Sequence, residues 1–219
     1  MDPRLAALIE WIRSTTSAAR GFLIPVSGGS DSALCFWLCC RAQPGKAVAV
    51  HAGANLRAHE WFAKLGRVDI VSEPDADPED KDVARWAMML SLSRRRRLWL
   101  VGTRNRTEES FGTYSMASRL AAYLPLAGLW KSEILELCQA VDVPPQVTAS
   151  SLRADPDCGR PRELAEIPIG LIDRFLRVKE GELPVEELTA LKESQVRYLE
   201  KIYQANRFKR VLPTRAPRF

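Results

Sequence analysis

The sequence predicts an α/β protein built on a doubly wound parallel sheet of about five strands. Short apolar runs alternate with longer stretches that carry apolar residues at helical spacing, which is the pattern of parallel strands joined by helices. The apolar runs are continuous, as is typical of strands buried on both faces. The chain has 219 residues, of which 46% are hydrophobic and 27% charged, so it can bury one sizeable core. We therefore interpret residues 1–219 as one domain.

The first half of the chain contains four strand candidates separated by helix candidates. Apolar residues at helical spacing predict an opening helix over residues 4–13, and Gly21 separates this helix from the first apolar run. Later helix candidates end at Pro44-Gly45 and at Gly66, where glycine favours a helix C-terminus. The predicted strands are 22–26, 46–51, 68–71 and 98–101, and the predicted helices between them are 33–42, 57–65 and 83–95.

The second half of the chain has a looser pattern. Residues 102–112 predict a loop that leads into a short helix, and residues 131–143 predict an amphipathic helix that two prolines stop. The remaining elements are a polar loop over 147–164, helices near 167–179 and 185–205, and a basic tail over 207–219.

The charge of the chain bears on its partners. The net charge is +5 and the isoelectric point is about 9.1, which suits nucleic acid and also small polyanions such as ATP. Four consecutive arginines, 94–97, directly precede the strand at 98–101, where cations favour the end of a helix. Aromatic residues do not interleave with them as they do in proteins that bind single strands. We predict a solvated helix end and no nucleic-acid partner.

The sequence predicts a cytoplasmic protein. No apolar run approaches the ~20 residues of a membrane helix, and the apolar stretches of the first 20 residues are too short for a signal peptide. Five cysteines without a paired framework indicate a reducing compartment. Cys35 and Cys39 have only His51 and His59 as partners for a metal, so we interpret them as core residues.

The segment SGGSDS at residues 27–32 is the most informative motif for a functional site. Its two glycines permit a tight turn with inward backbone N–H groups, and its serines add hydroxyl donors beside a helix N-terminus. This combination suits a pyrophosphate. Asp31 would repel that anion unless a cation lies between them, so we interpret Asp31 as a Mg²⁺ ligand. A helix that is N-capped after a flexible turn is the alternative for the same residues.

The order of several segments resembles a known family. Residues 27–32 look like the PP-loop of the ATP pyrophosphatases (the adenine nucleotide alpha hydrolase type), which cleave ATP between the α- and β-phosphates. Other segments resemble ammonia-dependent NAD synthetase, and they cover most of the chain. They are LWLVGTRNRTEESFG at 98–112, PLAGLWKSEILELCQAVDVP at 125–144, SSLRADPD at 150–157, IPIGLIDRFL at 167–176 and FKRVLPTRAP at 208–217. The chain resembles a short, divergent member.

The resemblance implies an ATP site assembled from residues far apart in the sequence. It assigns ATP binding to Ser27, Gly28, Gly29, Ser30, Asp31, Ser32, Thr103, Lys131 and Ser151. Asp31 and Glu108 would share Mg²⁺ across the phosphates, and Asp31 and Lys131 would be the catalytic residues. Taken singly, Glu108 is also explained as an acid at a helix start, Lys131 as a surface lysine and Thr103 as a turn residue.

The chain departs from the family on the side of the second substrate. The resemblance assigns Arg85 and Lys209 to that substrate. Met116, Ala122 and Phe208, however, stand where family members have a lysine, an aspartate and a histidine. These substitutions leave the implied ATP site unchanged and concern the recognition of deamido-NAD.

The implied activity is that of an ATP-dependent amidating ligase. It would adenylate a carboxylate, that of deamido-NAD or a related acid, with release of pyrophosphate, and then transfer ammonia. The ammonia would be free or come from a separate glutaminase, and the family implies a homodimer. Three alternatives stay open: a PP-loop enzyme that adenylates a different acid, a tRNA-modifying PP-loop protein, and a nucleotide-binding protein without turnover.

Overall fold

The sheet of the protein consists of four parallel strands. The structure, a computed structural model, describes residues 1–121, 123–149, 151, 164 and 166–212. The strands are β1 (Phe22–Pro25), β2 (Ala47–Ala52), β3 (Arg67–Val71) and β4 (Trp99–Leu100), in the order β3-β2-β1-β4. Every strand pair is parallel, and β1 pairs with both β2 and β4. The predicted class of fold is confirmed.

The predicted number of about five strands is one too high for the described residues. Beyond β4 there is a single parallel bridge between Val101 and Tyr123, and Gly102 donates its N–H to the Tyr123 carbonyl at 2.9 Å. Pro125 follows two residues later and has no N–H to donate, so it cannot extend the ladder. The pairing at this edge therefore stays at one residue.

Ten α-helices and two 3₁₀ helices are found in the described part of the chain. The α-helices are α1 (Pro3–Thr15), α2 (Ser30–Ala42), α3 (His59–Leu65), α4 (Lys81–Arg96), α5 (Arg106–Phe111), α6 (Lys131–Ala140), α7 (Pro145–Ala149), α8 (Ile169–Lys179), α9 (Glu193–Ala205) and α10 (Arg207–Arg210). The 3₁₀ helices span Met116–Leu120 and Val185–Ala190. The polar loop predicted over 147–164 and the end of the basic tail lie largely outside the described residues.

Two helix predictions need correction. The helix predicted from residue 33 begins at Ser30, because Gly29 serves as N-cap and half of the predicted turn joins the helix. The helix predicted over 185–205 is two helices, because Leu191 and Lys192 are extended, with ψ of 150° and 147°. Leu191 is buried in a hydrophobic cluster, which explains why the backbone leaves helical geometry there.

The two faces of the sheet are covered by different helices. On β1, the alternate residues Phe22 and Ile24 belong to the cluster that contains α1, α2 and most of α6, whereas Leu23 belongs to the cluster on the α4 side. Ten residues of α2 are buried, so this helix runs through the main core. A further cluster joins α5, Trp130, α8 and α9. The start of α6 therefore lies where two cores meet.

The arginine run ends α4, as predicted. Arg94, Arg95 and Arg96 occupy its last turn, and Arg97 adopts a left-handed conformation with φ of 56° as the C-cap. The Arg97 N–H bonds to the carbonyls of Ser93 and Arg94, and Arg96 forms an ion pair with Asp69 of β3 at 2.5 Å. The run therefore has a structural explanation that involves no nucleic acid.

Four of the five cysteines lie in the described part of the chain, and three of these four are buried. Cys35, Cys39, Cys40 and Cys138 are free thiols, and burial raises the pKa of Cys40 to about 12, which keeps it protonated near neutral pH. No helix in the described ranges is both long and apolar enough to cross a membrane.

Gly21 generates the first testable prediction. Its φ is +155°, and an added Cβ would lie 2.4 Å from the Lys46 carbonyl oxygen, which accepts the Phe22 N–H. The Lys46 carbonyl cannot move aside freely, because it belongs to the backbone and is hydrogen-bonded to Phe22 of β1. We expect Gly21→Ala to lower the free energy of unfolding by about 2–3 kcal/mol, measured by urea denaturation. Gly128→Ala, which meets nothing within 4 Å, is the control, and equal losses would contradict the steric explanation.

Candidate functional site

The turn between β1 and α2 is held by its own serines. Ser27 Oγ accepts from the Gly29 N–H at 3.3 Å, and Ser32 Oγ donates to the Gly29 carbonyl at 3.0 Å. Gly28 has a φ of +80°, and an added Cβ there would lie 3.0 Å from Arg57 Cβ. A larger residue at Gly28 would thus be strained and crowded. Ser27 and Ser32 shape the loop, while their assignment to ATP stays a prediction.

The N-terminus of α2 carries an ion pair beside the turn. Gly29 is the N-cap and has no side chain with which to cap the first helical N–H groups, which suits them to an anion. Asp31, in the first turn, forms an ion pair with Lys131 of α6. The Lys131 side chain is only 3% exposed and also donates to Ser30 Oγ at 2.8 Å. Lys131 is therefore buried, so the alternative interpretation of Lys131 as a surface lysine is wrong.

Ser151 joins the same group of side chains. Its hydroxyl lies 2.5 Å from Ser30 Oγ, although the two residues are 121 positions apart in the sequence. The structure therefore brings together Ser30, Asp31, Lys131 and Ser151, four of the residues that the sequence predicted for an ATP site. Thr103 lies half-buried in the loop between β4 and α5, two residues before Asn105.

Asn105 connects the two predicted metal ligands and was missed in the sequence. Its side-chain N–H donates to Asp31 Oδ1 at 2.8 Å, and its Oδ1 accepts from the Glu108 N–H at 2.9 Å. The Glu108 carboxylate in turn accepts from the Asn105 N–H at 3.2 Å, which completes a capping box at the start of α5. The spacing of Asn105 and Glu108, three residues apart before a helix, was the available signal.

The donor set around Asn105 fits a hard divalent cation with a nucleotide. Asp31 and Glu108 supply carboxylate oxygens from different helices, and both carboxylates are hydrogen-bonded to the buried Asn105, Asp31 to its side chain and Glu108 to its backbone N–H. No cluster of three or more His, Cys, Asp or Glu side chains that could hold a metal occurs among the described residues. Two carboxylates with phosphate oxygens and water are the usual ligands of Mg²⁺, which rarely occupies an all-protein cage.

The first two N–H groups of α6 are bound by residues to which the sequence analysis assigned no role. Thr107 Oγ1 accepts from the Lys131 N–H at 2.8 Å and donates to Asp173 Oδ1 at 2.5 Å. Asp173 Oδ2 accepts from the Ser132 N–H at 2.7 Å. Asp173 lies in the quoted segment IPIGLIDRFL, but nothing local in the sequence indicates its distant partners. These contacts hold the backbone from which the Lys131 side chain extends.

Arg85, one of the two residues predicted for the second substrate, has a protein partner. It forms an ion pair with Glu73 at 2.8 Å, and this hydrogen bond lowers the pKa of Glu73 below its usual range. Both side chains are about one-third exposed. The pair lies on the side of α4, and its relation to a substrate stays a prediction.

Lys209, the other residue predicted for that substrate, belongs to a cationic cluster around Tyr114. Lys209 Nζ donates to the Tyr114 carbonyl at 2.8 Å and lies 5.4 Å from the ring centre. Arg104 and Arg119 lie 4.7 and 5.4 Å from the same ring, and burial lowers the pKa of Lys209. Of the substituted positions, Met116 and Phe208 are exposed, and Ala122 lies outside the described residues.

Comparison with known proteins identifies the family. The sequence model described as NAD synthase matches residues 76–213, more than half of the chain. The chain belongs to the NAD synthase family. The matched part of the chain includes α5, α6 and α8, and it starts after the turn at 27–32. This family membership confirms the prediction of an enzyme of the ATP-dependent amidating ligase class.

Individual relatives match the chain almost from end to end. It is 28% identical to an NH3-dependent NAD(+) synthetase of Nocardia farcinica, over 96% of this chain and 87% of that protein. An NH3-dependent NAD synthetase structure from Campylobacter jejuni matches with a TM-score of 0.77, 20% identity, and coverage of 99% and 100%. An NMN synthetase structure from Francisella tularensis matches with a TM-score of 0.75, 19% identity, and coverage of 99% and 98%.

Asn105 generates the prediction of this section. Asn105→Ala removes the cap of α5 and leaves one Asp31 oxygen without its donor. Loss of a helix cap and of a buried hydrogen bond should together lower the free energy of unfolding by about 2–3 kcal/mol, as urea denaturation would show. Asn206→Ala is the matched control, because Asn206 is an N-cap whose side chain makes no capping bond. A similar loss in both variants would contradict the structural role of Asn105.

Proposed function

We propose that the protein is an ammonia-dependent amidating ligase that uses ATP to adenylate a carboxylate, that of deamido-NAD or a related acid. The observation that carries the proposal is the group formed by Ser30, Asp31 and Lys131 at the N-terminus of α2, with Glu108 joined to it by Asn105. The membership in the NAD synthase family supports it.

The proposed role of α2 and Lys131 is to hold the phosphates of ATP. The first N–H groups of α2 and the hydroxyls of Ser30 and Ser151 would donate to phosphate oxygens, and the Lys131 ammonium would balance their charge. Lys131 contacts Asp31, so bound phosphates would draw its ammonium away from Asp31. The buried ammonium would then face an anion before and after ATP binds.

Asp31 and Glu108 are the residues that we propose to hold Mg²⁺. The bound ion would supply neutralisation of the charge that develops on the phosphates. Lys131 and Asn105 each donate to one oxygen of Asp31, so the Lys131 ammonium would compete with the ion for the negative charge of Asp31 until it moves toward the phosphates. Asn105 would stay hydrogen-bonded to both Asp31 and Glu108.

The proposed reaction needs no covalent group of the protein. An oxygen of the substrate carboxylate forms a bond to the α-phosphorus of ATP while the bond to the β-phosphate oxygen breaks and pyrophosphate leaves. Ammonia then bonds to the acyl carbon, AMP leaves with the carboxylate oxygen, and a proton is lost from the nitrogen. The contribution of the protein is orientation and electrostatic stabilisation by the α2 N-terminus and Lys131.

The second substrate and the assembly are also matters of proposal. We assign Arg85 and Lys209 to the acid substrate. Arg119 adds positive charge near Lys209, whereas Arg104 is buried and paired with Glu109 at 2.6 Å. The relatives include both an NAD synthetase and an NMN synthetase by name, so dinucleotide and mononucleotide acids both belong in the test. A homodimer, a cytoplasmic location and ammonia that is free or from a separate glutaminase complete the proposal.

Pyrophosphate release tests the function directly. With ATP, Mg²⁺ and ammonia, we expect release to depend on deamido-NAD or nicotinate mononucleotide. Asp31→Asn or Glu108→Gln should lower the rate at least ~10²-fold, the scale of losing a group that stabilises transition-state charge. Asp69→Asn, which removes a carboxylate of β3 that pairs with Arg67 and with Arg96 of α4, is the control. Release only with an unrelated acid would favour the alternative enzyme, and wild-type rates in Asp31→Asn would exclude the metal assignment.

Removal of the Lys131 ammonium should change the affinities for a divalent cation and for ATP in opposite directions. Lys131→Met removes the cation that competes for Asp31, so Mn²⁺, used in place of Mg²⁺ for its magnetic signal, should bind without nucleotide at least ~10-fold more tightly, about 1.4 kcal/mol. Binding of ATP should weaken in the same variant. Electron paramagnetic resonance measures the free Mn²⁺. Lys179→Met, which breaks a lysine–glutamate pair away from the site, is the control, and unchanged Mn²⁺ affinity in Lys131→Met would rule out the competition.

A further inference from the structure

We infer that Asp173 of α8 is a positioning residue for Lys131, acting through Thr107 and the backbone of α6. The inference rests on the proposed function, because it concerns the lysine that we assign to the ATP phosphates. Its basis is the pair of contacts from one carboxylate to Thr107 Oγ1, at 2.5 Å, and to the Ser132 N–H, at 2.7 Å.

The start of α6 lacks the usual local cap. Helices most often begin with Ser, Thr, Asp or Asn, whose side chain accepts from a first-turn N–H. The residue before α6 is Trp130, which has no acceptor and makes no side-chain capping bond. Its ring is buried between Arg106, at 4.5 Å, and Arg177, at 5.3 Å. The residue at this position is thus committed to packing, and another residue must accept from the first turn.

Asp173 and Thr107 supply that cap from elsewhere in the chain. Thr107 Oγ1 takes the N–H of Lys131, the first residue of α6, and Asp173 Oδ2 takes the N–H of Ser132, the second. The Thr107 hydroxyl accepts from the Lys131 N–H with an oxygen lone pair while it donates its own hydrogen to Asp173, and this second bond fixes the direction of the lone pairs. The carboxylate therefore orients both acceptors at once.

The charge of Asp173 is consistent with this role. The side chain is 2% exposed, and among the described residues it takes part in no ion pair; the neighbouring Arg174 and Arg177 pair with Glu187 and Glu133. A buried carboxylate without a cation is costly unless hydrogen bonds and a favourable dipole stabilise it. The N–H end of α6 provides both. Asp173 is thus best stabilised when α6 begins where it does.

The same contacts connect the two sides of the candidate site. Thr107 stands beside Glu108 on α5, and α6 begins with Lys131. Asp173 thereby sets the distance between the helix that carries one proposed metal ligand and the helix that carries the ammonium. A shift of α6 would move Lys131 away from Asp31 and Ser30, to which it now bonds.

Binding of ATP with Mg²⁺, measured by calorimetry, tests whether Asp173 acts through Lys131. The four proteins are the wild type, Asp173→Asn, Lys131→Met and the double variant. Asp173→Asn should raise the Kd about tenfold in the wild type but less than about twofold when Lys131 is already methionine, because residues that act through one another are not additive. Glu187→Gln, which removes the ion-pair partner of the neighbouring Arg174 and leaves the contacts of Asp173 in place, should leave the Kd unchanged. Equal effects in both backgrounds would overturn the inference.

Thr107 provides a second pair of variants that does not depend on the folding of Asp173→Asn. Thr107→Val keeps the shape but removes the hydroxyl, and should reproduce the tenfold loss of affinity. Thr107→Ser keeps the hydroxyl and should restore binding to near the wild-type value. A merely structural requirement for a bulky residue predicts the reverse order, with valine tolerated better than serine, and that result would contradict the chain of contacts.

A readout without nucleotide separates this inference from the proposed function. The wild-type Lys131 ammonium is buried and paired, so an amine-acetylating reagent followed by mass spectrometry should modify it slowly. In Asp173→Asn and Thr107→Val its labelling should rise at least about fivefold, as opening of a local structure permits, while Lys179 is labelled as before. Unchanged labelling of Lys131 would overturn the inference. Failure of the wild type to bind ATP would instead overturn the proposed function, with the labelling result still standing.

Discussion

The buried ammonium of Lys131 is the constraint around which the candidate site is organised. A buried charge without a partner destabilises a fold by several kcal/mol, about 3–5 when one member of a pair is removed, so this lysine must always face an anion. In the structure that anion is Asp31. The need for a carboxylate at the start of α2, and for a fixed α6 opposite it, follows from this single group.

The position of α6 shows how packing and chemistry are joined. Trp130 belongs to the cluster built with the C-terminal helices, whereas Ile134, Leu137 and Cys138 belong to the core around α2. One short helix therefore bridges two hydrophobic clusters, and its first residue is Lys131. The C-terminal helices, which lie far from the sheet in sequence, thereby help to position the Lys131–Asp31 ion pair.

The site was predictable to the extent that its residues lie in local motifs. Ser30 and Asp31 stand in a turn whose glycines and serines are visible as such, and Asn105 with Glu108 has the spacing of a capping box. Lys131 and Ser151 were assigned by resemblance alone. Thr107 and Asp173 had no signal, because their contacts join residues 66 positions apart and depend on how α8 packs. The roles of these residues toward ATP and Mg²⁺ are proposals that rest on chemistry.

The sequence by itself determined the alternation of buried strands and helices, and with it the parallel doubly wound sheet, because apolar periodicity and strand length are local properties. Tertiary structure alone decided where α2 begins, why the helix predicted over 185–205 breaks at Leu191, and that the ladder beyond β4 is a single bridge. It also decided that Lys131 is buried against Asp31 rather than solvated. Those outcomes depend on which distant side chain fills a space or accepts a charge, and no local pattern in the chain specifies that partner.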